Sequence, residues 1–338
     1  MMRRHVARFL RTALAIVLAG ASVSLLADDT ADAIVRLDPA LDKIVPKGAK
    51  VEKILGGLGF TEGPVWDREG GFLLFSDVPN NAIMKFSGGG TAQAFRKPVF
   101  EGKFPQGAQI GSNGLARDPS GRLVAAEHGN RRITRWEKNG TMMVLADRYE
   151  GKRLNSPNDV VIKNNGDIYF TDPPGLFGGY PDVPDKPQQE LDFNGVYRIS
   201  AAGKLELLTR DIPFPNGIAF SPDEKKLYVG NSRPEKYWMV FDVKADGSIA
   251  NGRKFADVTK EPGRGNPDGM KVDRRGNVYA TALTGVQIFS PDGKRLGSIA
   301  TPEIASNCAW GDADGKTLYI TARTGVYRIR LNIAGMLR

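Results

Sequence analysis

One short pattern of polar and apolar residues recurs along most of the chain. It consists of a polar residue, a short apolar strand, a turn rich in Gly, Asp and Asn, and a second apolar strand. In residues 155–172, a β-branched run at 160–162 is followed by the dipeptide Asn165-Gly166, which favours a tight hairpin turn, and by an apolar return at 168–170. The pattern predicts a β-hairpin whose first strand begins beside a polar residue.

Six copies of this unit are found between residues 62 and 322. Their first polar residues, called head residues below, are 51, 45, 58, 52 and 39 residues apart, a spacing typical of propeller blades. Further alternating segments occur at 131–138, 195–200, 237–243 and 285–290, and helical periodicity is scarce. The chain is therefore expected to be all-β, a six-bladed β-propeller. The predicted head residues are Glu62, Asn113, Asn158, Asn216, Asp268 and Asn307.

Residues 1–27 have the layout of a secretory signal peptide. Four arginines, at positions 3, 4, 8 and 11, precede a small and apolar stretch at 12–26, and no acidic residue occurs before Asp28. The apolar stretch is shorter than the about 20 residues that a membrane span needs, although an uncleaved anchor is the alternative. We expect an exported protein, periplasmic or secreted. Residues 32–338 would form one propeller domain, completed by a strand that precedes Glu62.

Charge and rare residue types exclude several classes of function. The formal charge of +9 falls to +5 without the four signal arginines, and no basic run remains, which argues against nucleic-acid binding. Cys308 is the only cysteine, so no intramolecular disulfide can form. His128 is the only histidine after the signal segment, which excludes a zinc site with several His and Cys ligands. No GxSxG motif accompanies it.

The predicted head residues favour a metal site. In a propeller the first strand of every blade lines the axis, so equivalent residues at its start converge at one rim. All six side chains offer an oxygen, and two carboxylates among carboxamides suit a hard divalent cation such as Ca²⁺, Mg²⁺ or Mn²⁺. The alternative is that each residue only forms a turn with nearby backbone N–H groups, which explains Glu62 poorly.

The far ends of the hairpins should return to the same rim. The residues expected there are Asp77, His128, Asp172, Asn231, Ala282 and Ala322. A histidine at this place predicts a catalytic group for proton transfer, with an ordinary half-buried histidine as the alternative. Asp159 follows a predicted ligand, and it either orients Asn158 or caps the turn.

Several segments resemble the family of gluconolactonases, senescence marker protein and luciferin-regenerating enzyme. They are EGPVWD, SPNDVV, PNGIAFSPD and NPDGMKVD, with EHGNRR and YFTDPPG, and the similarity extends from about residue 50 to 330. The resemblance implies a six-bladed propeller that holds a divalent metal, calcium or zinc depending on the member, and that hydrolyses lactones. For this chain we expect calcium, with zinc, magnesium or manganese as alternatives. By position it makes Glu62, Asn158, Asn216 and Asp268 the metal ligands, and Asp268 also the general base.

The remaining polar residues of the candidate site are expected to contact the substrate, a small-molecule lactone. Asn113, Asp159 and Asn307 are expected to face it, Arg131 to reach a sugar oxygen or carboxylate, and Tyr180 to line the pocket from a lid at 173–193. An exposed structural role is the alternative for Arg131. Two alternative functions are a phosphotriesterase or fluorophosphatase and a non-catalytic, calcium-stabilised binding propeller. The particular lactone and the oligomeric state stay open.

Overall fold

The computed structural model describes residues 33–103, 108–175 and 189–337, and strands dominate these ranges. Two short strands precede the first repeat: β1 (Ile34–Arg36) and β2 (Glu52–Leu55). A 3-10 helix at Pro39–Lys43 lies between them, and Asp38 caps its first turn by accepting a hydrogen bond from Ala40 N. The segment that contains the predicted signal peptide, residues 1–27, lies outside the described residues.

The six repeats form six antiparallel sheets, called blades 1 to 6 in chain order. Blade 1 contains β3 (Thr61–Asp67), β4 (Phe72–Asp77), β5 (Ala82–Phe86) and β6 (Gln93–Arg96). Blade 2 contains β7 (Ser112–Arg117), β8 (Leu123–Glu127), β9 (Arg132–Trp136) and β10 (Met142–Ala146), and a ribbon of β11 (Arg148–Tyr149) and β12 (Lys152–Arg153) follows it. Blade 3 contains β13 (Val160–Ile162), β14 (Ile168–Asp172), β15 (Gly195–Ile199) and β16 (Leu205–Thr209).

The second half of the ring repeats this arrangement. Blade 4 contains β17 (Pro215–Phe220), β18 (Lys226–Asn231), β19 (Tyr237–Val243) and β20 (Ile249–Asp257). Blade 5 contains β21 (Met270–Val272), β22 (Val278–Ala282), β23 (Gly285–Phe289) and β24 (Arg295–Ala300). Blade 6 contains β25 (Ala305–Gly311), β26 (Thr317–Ala322) and β27 (Gly325–Arg330).

The ring is closed by contacts between the first strands of neighbouring blades. β3 contacts β7, the series continues through β13, β17 and β21 to β25, and β25 contacts β3 again. The fourth strand of blade 6 is β2, which pairs with β27. The six-bladed propeller and its N-terminal closing strand are therefore confirmed. β1 was not anticipated: it pairs with β24 and gives blade 5 a fifth strand.

Apolar side chains between the blades hold the ring together. Tyr169 of blade 3 meets Phe220 of blade 4 edge to face at 4.8 Å, and Tyr279 of blade 5 meets Trp310 of blade 6 in the same way at 4.9 Å. Such pairs add stability beyond the area that they bury. Cys308 is buried and free, so this packing replaces disulfides.

Within the described part of the chain, no helix combines the length and the apolar character needed to cross a membrane.

Candidate functional site

Strand pairing identifies the equivalent residues at the start of each first strand. In blade 1, Glu62 pairs with Ser76 of the second strand. The same register places Asn113, Asn158, Asn216 and Asp268 at the corresponding positions of blades 2 to 5. Five of the six predicted head residues are therefore equivalent, and they lie where the first strands meet around the axis.

The sixth head residue is Ser306, not Asn307. In β25 the pairing shifts between Ala305 and Asn307, so that the residue equivalent to Glu62 is Ser306. A hydrogen bond between blades agrees with this assignment, because Gly269 N donates to Ser306 O at 2.7 Å just as Gly114 N donates to Asn158 O at 2.7 Å. The irregular register in β25 displaces the polar pattern by one residue, which explains why the repeat pattern in the sequence pointed to Asn307.

Asn307 instead occupies the position that Asp159 has in blade 3. Each side chain accepts a hydrogen bond from the next backbone N–H, Asp159 Oδ1 from Val160 N and Asn307 Oδ1 from Cys308 N, both at 2.9 Å. The other four blades have glycine at this position, because the next blade approaches closely. A Cβ atom on Gly217 would lie 2.0 Å from the carbonyl oxygen of Asp268. Only blades 3 and 6 thus place a side chain behind the head residues.

Glu62 is held by two donors. The residue is 2% exposed, and its Oε2 accepts hydrogen bonds from Gly63 N at 2.8 Å and from Asn307 Nδ2 at 3.1 Å. The Cys308 N–H fixes the orientation of the Asn307 amide, since a flipped amide would set two donors against each other. Asn307 therefore presents an N–H to Glu62 instead of the oxygen that the sequence pattern suggested.

Two carboxyl groups share the centre of the ring. The Asp268 carboxyl group interacts with the side chains of both Glu62 and Asn216. Burial and, to a smaller extent, the negative charge of Asp159 raise the pKa of Glu62 to about 7, against the lowering effect of the Gly63 N–H. Burial, followed by the charges of Glu62 and Asp159, also raises the pKa of Asp268 well above its ordinary value. Without a cation, the pair retains a proton near neutral pH.

Unpartnered oxygens complete the set of possible cation ligands. Asn113 Oδ1 and Asn216 Oδ1 are buried and accept no hydrogen bond from any described residue. A buried acceptor without a partner is costly, and so are two adjacent carboxylates. Both costs are relieved by a hard divalent cation, for which carboxylate and carboxamide oxygens are suitable ligands. Within the described ranges no cluster of three or more His, Cys, Asp or Glu side chains is placed to hold a metal, so carboxamides must contribute.

Ser232 is a supporting residue that the sequence pattern did not reveal. Its Oγ accepts a hydrogen bond from Asn216 Nδ2 at 3.0 Å and donates to Pro267 O at 2.6 Å. Because Ser232 holds the amide nitrogen, Asn216 Oδ1 remains available at the centre. Ser232 also connects blade 4 to the residue that precedes Asp268. The sequence feature that could have indicated this role is a hydroxyl residue directly after the second strand of a blade.

His128 lies beside the segment that carries Asn158. The register makes Glu127, not His128, the equivalent of Asp77, so the histidine lies one residue beyond the predicted position. It is 3% exposed, and burial lowers its pKa to about 4, despite a hydrogen bond to the carbonyl of Pro157. Its Nδ1 has no partner among the described residues. The imidazole is therefore neutral at neutral pH, and Nδ1 can accept a proton or a hydrogen bond.

Arg131 and Tyr180 have different outcomes. Arg131 is 2% exposed, and its Nε donates to the carbonyls of Leu154 at 2.6 Å and Asn155 at 3.2 Å. This arrangement gives Arg131 a buried structural role in the segment that leads to Asn158, unlike either role expected from the sequence. Tyr180, expected to line the pocket, lies outside the described residues.

The chain is similar to known lactone hydrolases over most of its length. Residues 60–324 match the family described as SMP-30/Gluconolactonase/LRE-like region. A gluconolactonase of Zymomonas mobilis is 37% identical over 313 residues, which are 89% of this chain and 87% of the relative. A solved gluconolactonase structure from Xanthomonas campestris is 35% identical with a TM-score of 0.76, and the match covers 88% of this chain and 94% of that one. A diisopropyl-fluorophosphatase of Loligo vulgaris is 26% identical over 268 residues, 74% of this chain and 80% of the relative.

Proposed function

Because the chain belongs to the SMP-30/Gluconolactonase/LRE-like family and is a lactonase, we propose that it opens sugar lactones with the help of a divalent cation held by the head residues. The observation that carries the proposal is the set of groups at the axis. Two carboxyl groups interact there, beside buried carboxamide oxygens that accept no hydrogen bond from the described residues.

Glu62, Asn158, Asn216 and Asp268 would hold the cation. All four residues offer only oxygen, which favours calcium, magnesium or manganese over zinc, and calcium best tolerates an irregular set of ligands. When bound, a divalent ion supplies Lewis acidity that polarises the lactone carbonyl. Asn307 and the Gly63 N–H hold one oxygen of Glu62, which leaves the other oxygen available at the centre.

Asp268 is proposed as the general base. It takes a proton from a water molecule whose oxygen forms a bond to the carbonyl carbon of the lactone. The ring C–O bond then breaks, and the departing ring oxygen takes the proton back from Asp268, so that the product is a hydroxy acid.

Two further residues are proposed to contact the substrate. Asn113 Oδ1 is buried and accepts no hydrogen bond from the described residues, and a sugar hydroxyl would satisfy it. His128 Nδ1 is similarly unpaired, and in its neutral form it can accept a second hydroxyl proton or assist proton transfer. We also propose that the signal segment directs export, which agrees with its arginine-rich and apolar layout.

A panel of substrates tests the substrate class. Purified protein is supplied with gluconolactone, arabinolactone and diisopropyl fluorophosphate, and acid release is followed in a weakly buffered solution. We expect hydrolysis of at least one sugar lactone with kcat/KM in the common enzyme range of about 10⁴ M⁻¹s⁻¹ or more, and much weaker hydrolysis of the fluorophosphate. A preference for the fluorophosphate, or hydrolysis of no sugar lactone, would contradict the proposal.

A further inference from the structure

One lysine lies in the channel wall below the head residues. Five first strands have Val or Ala at the same register position, and blade 5 has Lys271, which pairs with Tyr279. The equivalence follows from strand pairing with the corresponding residue of each second strand. The five other residues are Val65, Ala116, Val161, Ala219 and Ala309. A charged residue at this position calls for a polar or charged partner, because burying even part of an ammonium group is costly without one.

The surroundings of Lys271 are mostly apolar. It lines an axial cavity of about 80 Å³ together with the inner faces of the first strands. Arg117 also lines this cavity, but its guanidinium is paired with Asp67. Lys271 Nζ donates to Met270 O at 3.0 Å and to Asn307 Oδ1 at 3.4 Å. The ammonium group therefore points to the residue that holds Glu62.

Three acidic side chains, Glu62, Asp159 and Asp268, interact with one another at the centre next to this lysine. The negative charges of Glu62 and Asp159 raise the pKa of Asp268. The positive charge of Lys271 lowers the pKa of Glu62. When all three carboxyl groups are ionised, one lysine leaves a net charge of two negative units, which a single divalent ion neutralises. Interactions between charges are strong in such a site, because the surrounding protein screens them less than water does.

We propose that Lys271 is a resident counter-ion of the acidic centre, which stabilises the ring of head residues when the divalent ion is absent. This inference rests on the proposed cation site. Orientation of Asn307 is the smaller contribution of Lys271, because Cys308 N holds the same oxygen at 2.9 Å, whereas Lys271 Nζ is 3.4 Å away. The lysine and the divalent ion act on the same carboxylates, so each should matter more when the other is missing.

Thermal unfolding of Lys271→Met, with chelator and then with saturating Ca²⁺, tests the proposal. In chelator we expect the Tm of the variant to lie about 2–3 °C below that of the wild type, the scale of shift that a single lost interaction causes in a chain of about 300 residues. In calcium the deficit should shrink to less than half. Lys271→Arg retains the charge and should stay close to the wild type in both conditions. The control Lys204→Met removes an exposed positive charge that pairs with Glu206, and its Tm should respond to calcium as the wild type does.

Three outcomes would overturn the counter-ion role. The first is a Tm deficit of Lys271→Met that is equal with and without calcium, which would indicate a packing role alone. The second is a Lys271→Arg variant that is as unstable as Lys271→Met. The third is a Lys271→Met variant with no Tm deficit in chelator. Failure of the proposed function is read separately, from lactone hydrolysis by the wild type. The counter-ion role is judged by the Tm differences between variants and not by activity.

Discussion

Asp268→Asn should lower kcat for lactone hydrolysis by about 10²–10⁴-fold, the usual contribution of a general base. The carboxamide has nearly the same shape and still offers an oxygen at the centre, but it cannot take a proton from the attacking water. The contact with Asn216 is retained in part, and one charge of a crowded pair is removed. The fold should therefore persist, and steady-state kinetics of the variant measure the loss.

Asp273→Asn is the matched control for this prediction. Asp273 belongs to the same blade, but it holds the hairpin turn at the other end of the strand, where its oxygens accept from Arg275 N, Asn277 N and the Tyr279 hydroxyl. We expect a lower Tm with kcat changed by less than about tenfold, because no reacting group is touched. If Asp268→Asn were as active as Asp273→Asn, Asp268 would not be the base.

Glu62→Gln should weaken binding of Ca²⁺ by at least about 100-fold, because the variant loses a charged ligand. Substitution of a residue that only orients a metal ligand already costs about 10–100-fold in affinity. The pH dependence of the wild type provides a second readout. Burial raises the pKa of Glu62 to about 7, so the metal-free protein still holds a proton there at neutral pH. A cation must displace this proton. Affinity should thus rise from about pH 6 to about pH 8.

Calorimetric titration at several pH values measures both effects. The folded, metal-free state binds the Glu62 proton more tightly than an unfolded chain, so the same shift should make the metal-free protein less stable as pH rises from about 4.5 through about 7. Calcium should remove this loss, because the bound form contains ionised Glu62. The pH slope of affinity should be smaller in Glu62→Gln. An affinity that is independent of pH in the wild type would show that Glu62 is not a ligand.

The sequence predicts the ring of blades well because the repeated unit is local. A polar residue, a hairpin and an Asn-Gly type of turn can be recognised without any knowledge of distant contacts, and the regular spacing then implies closure. Closure by β2 was predicted for the same reason. β1 escaped prediction because it has three residues and only an edge to pair with, β24.

Register is the property that the polar pattern could not supply. The shift of pairing in β25 moves the head position of blade 6 from Asn307 to Ser306, and the end of β8 falls at Glu127 instead of His128. In both cases two adjacent residues are polar, and the sequence pattern selected the wrong one of the two. The partners of Arg131 could not be predicted from the sequence either, because its guanidinium binds backbone carbonyls more than twenty residues away. Contacts of this kind depend on how blades meet and not on local pattern.

The coupling of cation occupancy to hydrolysis tests the central claim most directly. The wild type is treated with chelator, freed of it, and titrated with Ca²⁺ while bound metal and gluconolactone hydrolysis are measured on the same samples. We predict that hydrolysis is close to background in the chelated protein and rises in proportion to occupancy, reaching its maximum near one ion per chain. Full hydrolysis by protein that contains no metal would contradict the account.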